Sequence, residues 1–119
     1  MPTQPSHPTP LEALLASPQV GLEVYDSKGG LLEANDIARA MFGMEGELPK
    51  YNLFESPFVE EGLKRTLKAG KPYLRFIRFE PGEAAFASTL TEGRWSAVAI
   101  LPRPDPSGAQ GWLAIYGDA

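Results

Sequence analysis

Two arginines in a stretch rich in aromatic and β-branched residues, Arg75 and Arg78 in YLRFIRFE, have the setting most suggestive of chemistry. A guanidinium that faces a protein interior requires an anionic partner, because an unpaired buried charge is very costly. If Arg75 faces inward, that partner is an anionic ligand or one of the chain's own carboxylates. The alternative is an arginine at a sheet edge or facing a second subunit, with its charge in water.

Nucleophilic and metal chemistry find little support in the sequence. The chain has no cysteine, which excludes a thiol nucleophile, a thiolate metal site and a cysteine–chromophore adduct. Its one histidine, His7, lies in a proline-rich N-terminal segment, so a Ser-His-Asp triad or a multi-histidine metal site is nearly excluded. No base–nucleophile pair stands out, and we predict no enzyme, no catalytic residue and no metal site.

The amino-acid composition and charge limit the kinds of molecule that this protein could bind. The 119 residues are enough for one domain, and a net charge of −4 opposes nonspecific nucleic-acid binding, which needs a basic patch. No apolar run approaches the roughly 18 residues of a membrane span, and the N-terminus lacks the basic and apolar regions of a signal peptide. The absence of cysteine fits a reducing compartment. We therefore predict a cytoplasmic protein with no membrane or nucleic-acid partner.

The elements that position these side chains begin with a hairpin and helix over residues 20–43. Asp26 ends an apolar strand, and Gly29 and Gly30 supply the positive-φ positions that a tight turn needs. Asn35 follows the second strand and is placed to cap a short helix. We predict structural roles for Asp26 and Asn35, with Asn35 also able to tether the sheet to the helix and relay a signal.

Two further helices are predicted. Residues 10–16 carry leucines at helical spacing after a proline, whereas residues 1–9 form a disordered proline-rich tail. Ser56 and Pro57 are typical of an N-cap and first helical position, and Gly70 ends that helix.

The last third of the chain is β. Strands are predicted over residues 73–80, 94–101 and 111–117, where aromatic and β-branched residues concentrate. Residues 84–91 extend a neighbouring strand or form a mobile loop.

This element order, over residues 10–118, resembles that of a PAS domain, a sensory domain of bacterial two-component histidine kinases and transcriptional regulators. Local motifs carry the resemblance in chain order. They are the hairpin turn Asp26-x-x-Gly29-Gly30, the helix Asn35-x-x-Ala38 with Phe42-Gly43, the segment YNLFESP (residues 51–57), and the ending formed by Pro102, Asp105, Gly108, Gly111 and Asp118.

The resemblance implies an α+β fold: a five-stranded antiparallel sheet with helices packed on one face and a short N-terminal helix. It implies a sensing and dimerisation domain of a signal transduction protein, with a small molecule between sheet and helices and an output domain or partner protein that receives the signal. A ligand-free protein-interaction module is the alternative. A small-molecule-binding enzyme is a third, weaker hypothesis.

The resemblance and strand alternation together assign the ligand-facing residues. Each face of strand 73–80 carries one arginine, so alternation alone does not choose between them, and we take the face of Arg75 as inward. The predicted ligand-binding residues are Tyr73, Arg75, Ile77, Phe79, Ser96, Val98, Ile100, Trp112 and Tyr116.

The opposite face of the sheet is too apolar to leave in water. It predicts coverage by the residue 10–16 helix, by a second subunit, or by both, and hence a homodimer. The predicted interface residues are Leu11, Leu14, Leu15, Trp95, Leu101, Leu113 and Ile115.

The sequence also departs from the family. The family ending usually leads into a linker and an output domain, whereas this chain ends at Ala119, as a domain without an output or one excised from a longer protein. The cysteine of flavin-binding light sensors and the histidine of haem-binding members are both missing. These departures oppose an adduct-forming flavin and a histidine-ligated haem, and leave the cofactor unidentified.

Overall fold

The computed structural model describes residues 9–42, 44, 46–56, 59–79 and 94–118. The predictions for residues 1–8, 43, 57 and 84–91 lie outside these ranges. Within them the helices are α1 (Pro10–Ala16), α2 (Asp36–Phe42) and α3 (Glu61–Lys68), and the strands are β1 (Gly21–Tyr25), β2 (Leu31–Ala34), β3 (Tyr73–Phe79), β4 (Arg94–Pro104) and β5 (Gln110–Asp118). No helix within the described residues is long and apolar enough to cross a membrane.

The five strands form one antiparallel sheet in the order β2-β1-β5-β4-β3. The last strand in the chain, β5, therefore lies at the centre, between the first strand and β4. This arrangement brings the N-terminal hairpin beside the C-terminal one. Among the described strands, β3 lies at one edge of the sheet and β2 at the other.

The strand register defines two faces. Arg75 pairs with Val98, Val98 with Tyr116, and Ala114 with Glu23, so these residues share one side, here called the inner face. Phe42 of α2 and Leu67 of α3 belong to the apolar core on this side, together with Val98 and Tyr116. The inner face is thus the one covered by α2, α3 and the segment between them.

Helix α1 lies on the opposite side of the sheet, here called the outer face. Thr9 and Glu12 form a reciprocal capping box that fixes its start. Gly117 of β5 lies so close to Leu14 and Ser17 that a side chain there would collide with both. Because glycine has no side chain, α1 packs directly on the sheet, over the buried Ala97 and Ala99.

Helix α3 begins later than its sequence predicts. Ser56 does not open it: the Ser56 N–H donates to the carbonyl of Asn52 at 3.1 Å and its carbonyl accepts from the Val59 N–H at 3.4 Å, so Ser56 belongs to turns that precede the helix. Glu60, in extended conformation, occupies the N-cap position instead. Val59 therefore precedes the helix, and Leu63 and Leu67 are its buried residues.

Strand β4 also continues beyond its predicted end at residue 101. Its last residue, Pro104, pairs with Gln110 of β5. The connecting turn is consequently shorter than the proline-rich sequence suggests.

Candidate functional site

Asn35 joins β1 to the start of α2. Its Oδ1 accepts hydrogen bonds from the N–H groups of Ala38 and Leu22, both at 2.9 Å, and its Nδ2 donates to the carbonyl of Val20 at 3.0 Å. One amide side chain therefore caps the helix and continues the hydrogen bonding of the strand. It fixes how α2 sits on the inner face.

The turn between β1 and β2 and the turn between β4 and β5 have the same kind of aspartate hydrogen bond, and a further hydrogen bond connects the two turns. Asp26 Oδ1 accepts from the Gly30 N–H at 2.8 Å, and Asp105 Oδ1 accepts from the Ala109 N–H at 3.1 Å. The remaining oxygen of Asp105 accepts from the Ser27 N–H at 3.0 Å, which ties the second turn to the first. The Ser107 hydroxyl, which donates to Oδ1, and these N–H groups hold the pKa of Asp105 below its usual value. Asp26 and Asp105 are therefore structural.

A cavity of about 460 Å³ lies between the inner face and the residues from Tyr51 to Leu63. It also reaches Phe76, Arg78 and Trp95, whose register places them on the other side of the sheet, so it opens around the paired ends of β3 and β4. Its lining combines apolar, tyrosine and charged side chains: Tyr51, Leu53, Val59, Glu60, Leu63, Tyr73, Arg75, Phe76, Ile77, Arg78, Trp95, Val98, Ile100 and Tyr116.

Most of the predicted ligand-facing residues lie together around this cavity. They are Tyr73, Arg75, Ile77, Val98, Ile100 and Tyr116. Ser96 does not line it, because its buried hydroxyl donates to the carbonyl of Gly117 at 2.6 Å. The side chain of Phe79 lies outside the described residues.

Trp112 is also absent from the cavity lining. Its Nε1–H donates to the carbonyl of Leu67 at 3.2 Å, and its ring meets Phe54 edge-on at 5.1 Å between centroids. It borders instead a separate open groove beside the first hairpin turn. The indole thus fastens α3 to the sheet.

Arg75 borders the cavity without being buried. Its guanidinium lies 5.4 Å from the centroid of the Tyr73 ring and donates to the carbonyl of Leu74 at 2.8 Å. Arg78 is exposed as well. Of the two arrangements considered for Arg75, the structure has the arginine at the sheet edge, with its charge accessible to solvent and to the cavity mouth.

A buried carboxyl group on the inner face is the main feature that the sequence reasoning missed. Glu23 is only 2% exposed, and its Oε1 accepts hydrogen bonds from the hydroxyls of Tyr25 at 2.7 Å and Tyr116 at 2.6 Å. Burial raises the pKa of Glu23, and the two hydroxyls partly oppose that rise. Its signal was available, since an acidic residue in the apolar strand VGLEVY shares the inward parity of Tyr25.

Tyr116 connects this group to the cavity. Its ring lines the cavity and meets Phe42 of α2 edge-on at 5.0 Å between centroids. Burial and the nearby Glu23 raise the pKa of Tyr116 well above its ordinary value, so its phenol stays protonated. We refer below to Glu23, Tyr25 and Tyr116 as the carboxyl cluster.

The predicted interface residues divide into two groups on the outer face. Leu14, Leu113 and Ile115 are half-buried. Leu11, Leu15, Trp95 and Leu101 are exposed, Leu15 by 78% and Trp95 by 53%. Helix α1 thus covers part of the outer face and leaves apolar side chains of its own in solvent.

No protein-family model matches this sequence, and no curated protein matches it. Among solved structures, the chain is similar to a fungal LOV domain photoreceptor, whose structure is described as revealing a conserved pathway that integrates blue light and oxidative stress. The TM-score is 0.61 at 20% identity, over 99% of this chain and 81% of that chain. At this identity the likeness shows the fold alone. The α+β, PAS-like fold predicted from the sequence is confirmed.

Proposed function

We propose that this chain is a signal-sensing domain that binds a small molecule in the cavity between the sheet and α3. The observation that carries the proposal is the cavity itself, whose volume of about 460 Å³ lies in the range of roughly 300–1,000 Å³ typical of small-molecule sites. Its wall joins β3, β4 and β5 to α3. An occupant would therefore contact both layers of the fold and shift their packing, which an output domain or partner protein would detect.

The lining favours an occupant with an apolar body and an anionic end. Leu53, Leu63 and Ile100 supply the apolar wall. Among the described residues that line the cavity, two arginines outnumber one acid, Glu60, and a guanidinium can bind a carboxylate through two parallel hydrogen bonds. We infer that the ligand is a small apolar carboxylate whose charged group lies near Arg75 and Arg78. Its binding, rather than its chemical conversion, is the proposed activity.

Ligand-detected NMR with pairs of apolar carboxylates and their neutral amides tests this proposal. We expect the carboxylate of a pair to bind more tightly, and Arg75→Ala to weaken it by about tenfold, as expected for one charge-assisted hydrogen bond. Val59→Trp, which fills the cavity from its lining, should abolish binding, whereas Val24→Trp on the outer face should not. Equal binding of acid and amide, retention in Val59→Trp, or turnover of any compound would contradict it.

A homodimer through the outer face is the second part of the proposal. Leu11 and Leu15 on α1, and Trp95 and Leu101 on the outer face of β4, are exposed apolar side chains, which a second copy would cover. Sedimentation velocity should show a dimer that Leu15→Glu dissociates. Leu32→Glu, at the opposite edge of the sheet, is the matched control and should leave the dimer intact. A monomer at high concentration would refute this part.

The same exposed apolar side chains favour one alternative, a ligand-free protein-interaction module. In that case Leu15→Glu would disrupt assembly, but no carboxylate in the NMR series would bind. Placement in a two-component pathway of a cytoplasmic protein is our proposal for the biological setting, and it follows from the family resemblance of the motifs.

A further inference from the structure

The carboxyl cluster has the geometry of a charged group held by two donors. Oxygen–oxygen distances of 2.6 and 2.7 Å from the tyrosine hydroxyls to Glu23 Oε1 fall in the roughly 2.5–2.7 Å range of hydrogen bonds to an ionised carboxylate. All three residues are buried, at 2%, 1% and 7% exposure for Glu23, Tyr25 and Tyr116. When Glu23 is ionised, its negative charge therefore lies inside the core with two hydroxyl donors directed at one of its oxygens.

The surroundings of the cluster bring no compensating cation among the described residues. The titratable groups that act on it are Tyr25 from β1, Tyr116 from β5 and Tyr51 from the segment after α2. The buried side of α2 carries Ala38, Met41 and Phe42, and β4 brings Val98 opposite Tyr116. Proton uptake is thus the direct way for this site to remove its charge.

We propose that Glu23 is a proton-binding site whose protonation loosens Tyr116, and with it the cavity wall and the contact between β5 and α2. Hydrogen bonds to an ionised carboxylate are about twice as strong as those between neutral groups. Protonation weakens both tyrosine hydrogen bonds, whichever carboxyl oxygen receives the proton. Tyr116 carries the effect outward because its ring both lines the cavity and packs on Phe42. A proton is then a second input to the fold, separate from any ligand.

A ligand-free titration of the full chain tests the proposal. Carboxyl ¹³C NMR should show Glu23 titrating above the usual glutamate value of about 4.3. The ring resonances of Phe42 should change with the same midpoint. Because each hydroxyl lowers the pKa of Glu23, Tyr116→Phe and Tyr25→Phe should each move its midpoint further upward. Glu23→Gln should abolish the pH response of Phe42, and Glu33→Gln, an exposed acid on β2, should not.

A Glu23 midpoint at or below the usual value would overturn the proposal. So would ring resonances of Phe42 that do not change with the midpoint of Glu23, or that keep the same pH response in the Glu23→Gln variant. If Tyr116→Phe does not fold, a comparison of the wild-type chain with the two single variants Tyr25→Phe and Glu23→Gln tests the same proposal. Since no ligand enters the titration, a negative result here leaves the carboxylate-binding proposal standing, and failure of carboxylates to bind leaves this proposal standing.

Discussion

Replacing Asn35 separates the two roles that its side chain combines. Asn35→Ala removes a helix cap, which is worth about 1 kcal/mol. It also removes the hydrogen bonds to Leu22 of β1 and to Val20, the residue before that strand, each contributing roughly 0.5–1.5 kcal/mol. Because the site is only partly buried, water recovers some of this loss. After this recovery we expect the free energy of unfolding to fall by about 1–3 kcal/mol.

Asn35→Asp retains an Oδ1 acceptor for the N–H groups of Leu22 and Ala38 and loses only the donor to Val20. It should cost about 0.5–1.5 kcal/mol. Urea unfolding at pH 7 measures both, with Glu33→Ala, an exposed change expected within about 0.5 kcal/mol, as the control. An alanine variant that loses less than about 1 kcal/mol, or an aspartate variant as unstable as alanine, would refute the tethering argument.

Two further predictions concern stability. Because burial raises the folded pKa of Glu23 above its usual value, the stability that protonated Glu23 contributes is fully present below the unfolded pKa and is lost as pH rises through the folded one. Glu23→Gln should therefore gain stability relative to wild type as pH rises through that interval in a series of urea melts. A constant difference would contradict burial of the charge. Gly111→Ala would push a methyl group into the carbonyl oxygen of Tyr25 and should lower the free energy of unfolding by about 1–3 kcal/mol. Gly62→Ala, at a position of α3 that is open to solvent, should raise it by about 0.5–1 kcal/mol. Thermal melting distinguishes them, and equal shifts would refute the close approach of β5 to Tyr25.

Local chemistry was the part of the fold most accessible from the sequence. Asp26 and Asn35 act on backbone groups within a few residues or in the adjacent strand, so residue type and spacing were sufficient to predict their roles. The start of α3 was not predicted, because Ser56 is a residue type typical of an N-cap but lies in the turns before the helix. Residue type alone does not decide between these two local structures.

Only part of the candidate site could be predicted from alternation along the strands. Alternation along each strand gives the parity of its side chains, which was enough to group Tyr73, Val98 and Tyr116. It does not give their position along the sheet, and so it did not separate Trp112, which lies toward the hairpin end. The parity shared by Glu23 and Tyr25 pointed to a buried acid, but its second partner Tyr116 is 93 residues away, and only the pairing of β1 with β5 brings Glu23 and Tyr116 together.

Native mass spectrometry of the purified chain, compared with its mass under denaturing conditions, tests the sensing proposal most directly. We predict a stoichiometric small molecule that is retained by the folded protein, released on denaturation, and absent from Val59→Trp but present in Val24→Trp. Its measured mass and charge should be those of an apolar carboxylate. A folded chain that carries no ligand and takes up none of the carboxylates tested would contradict the account.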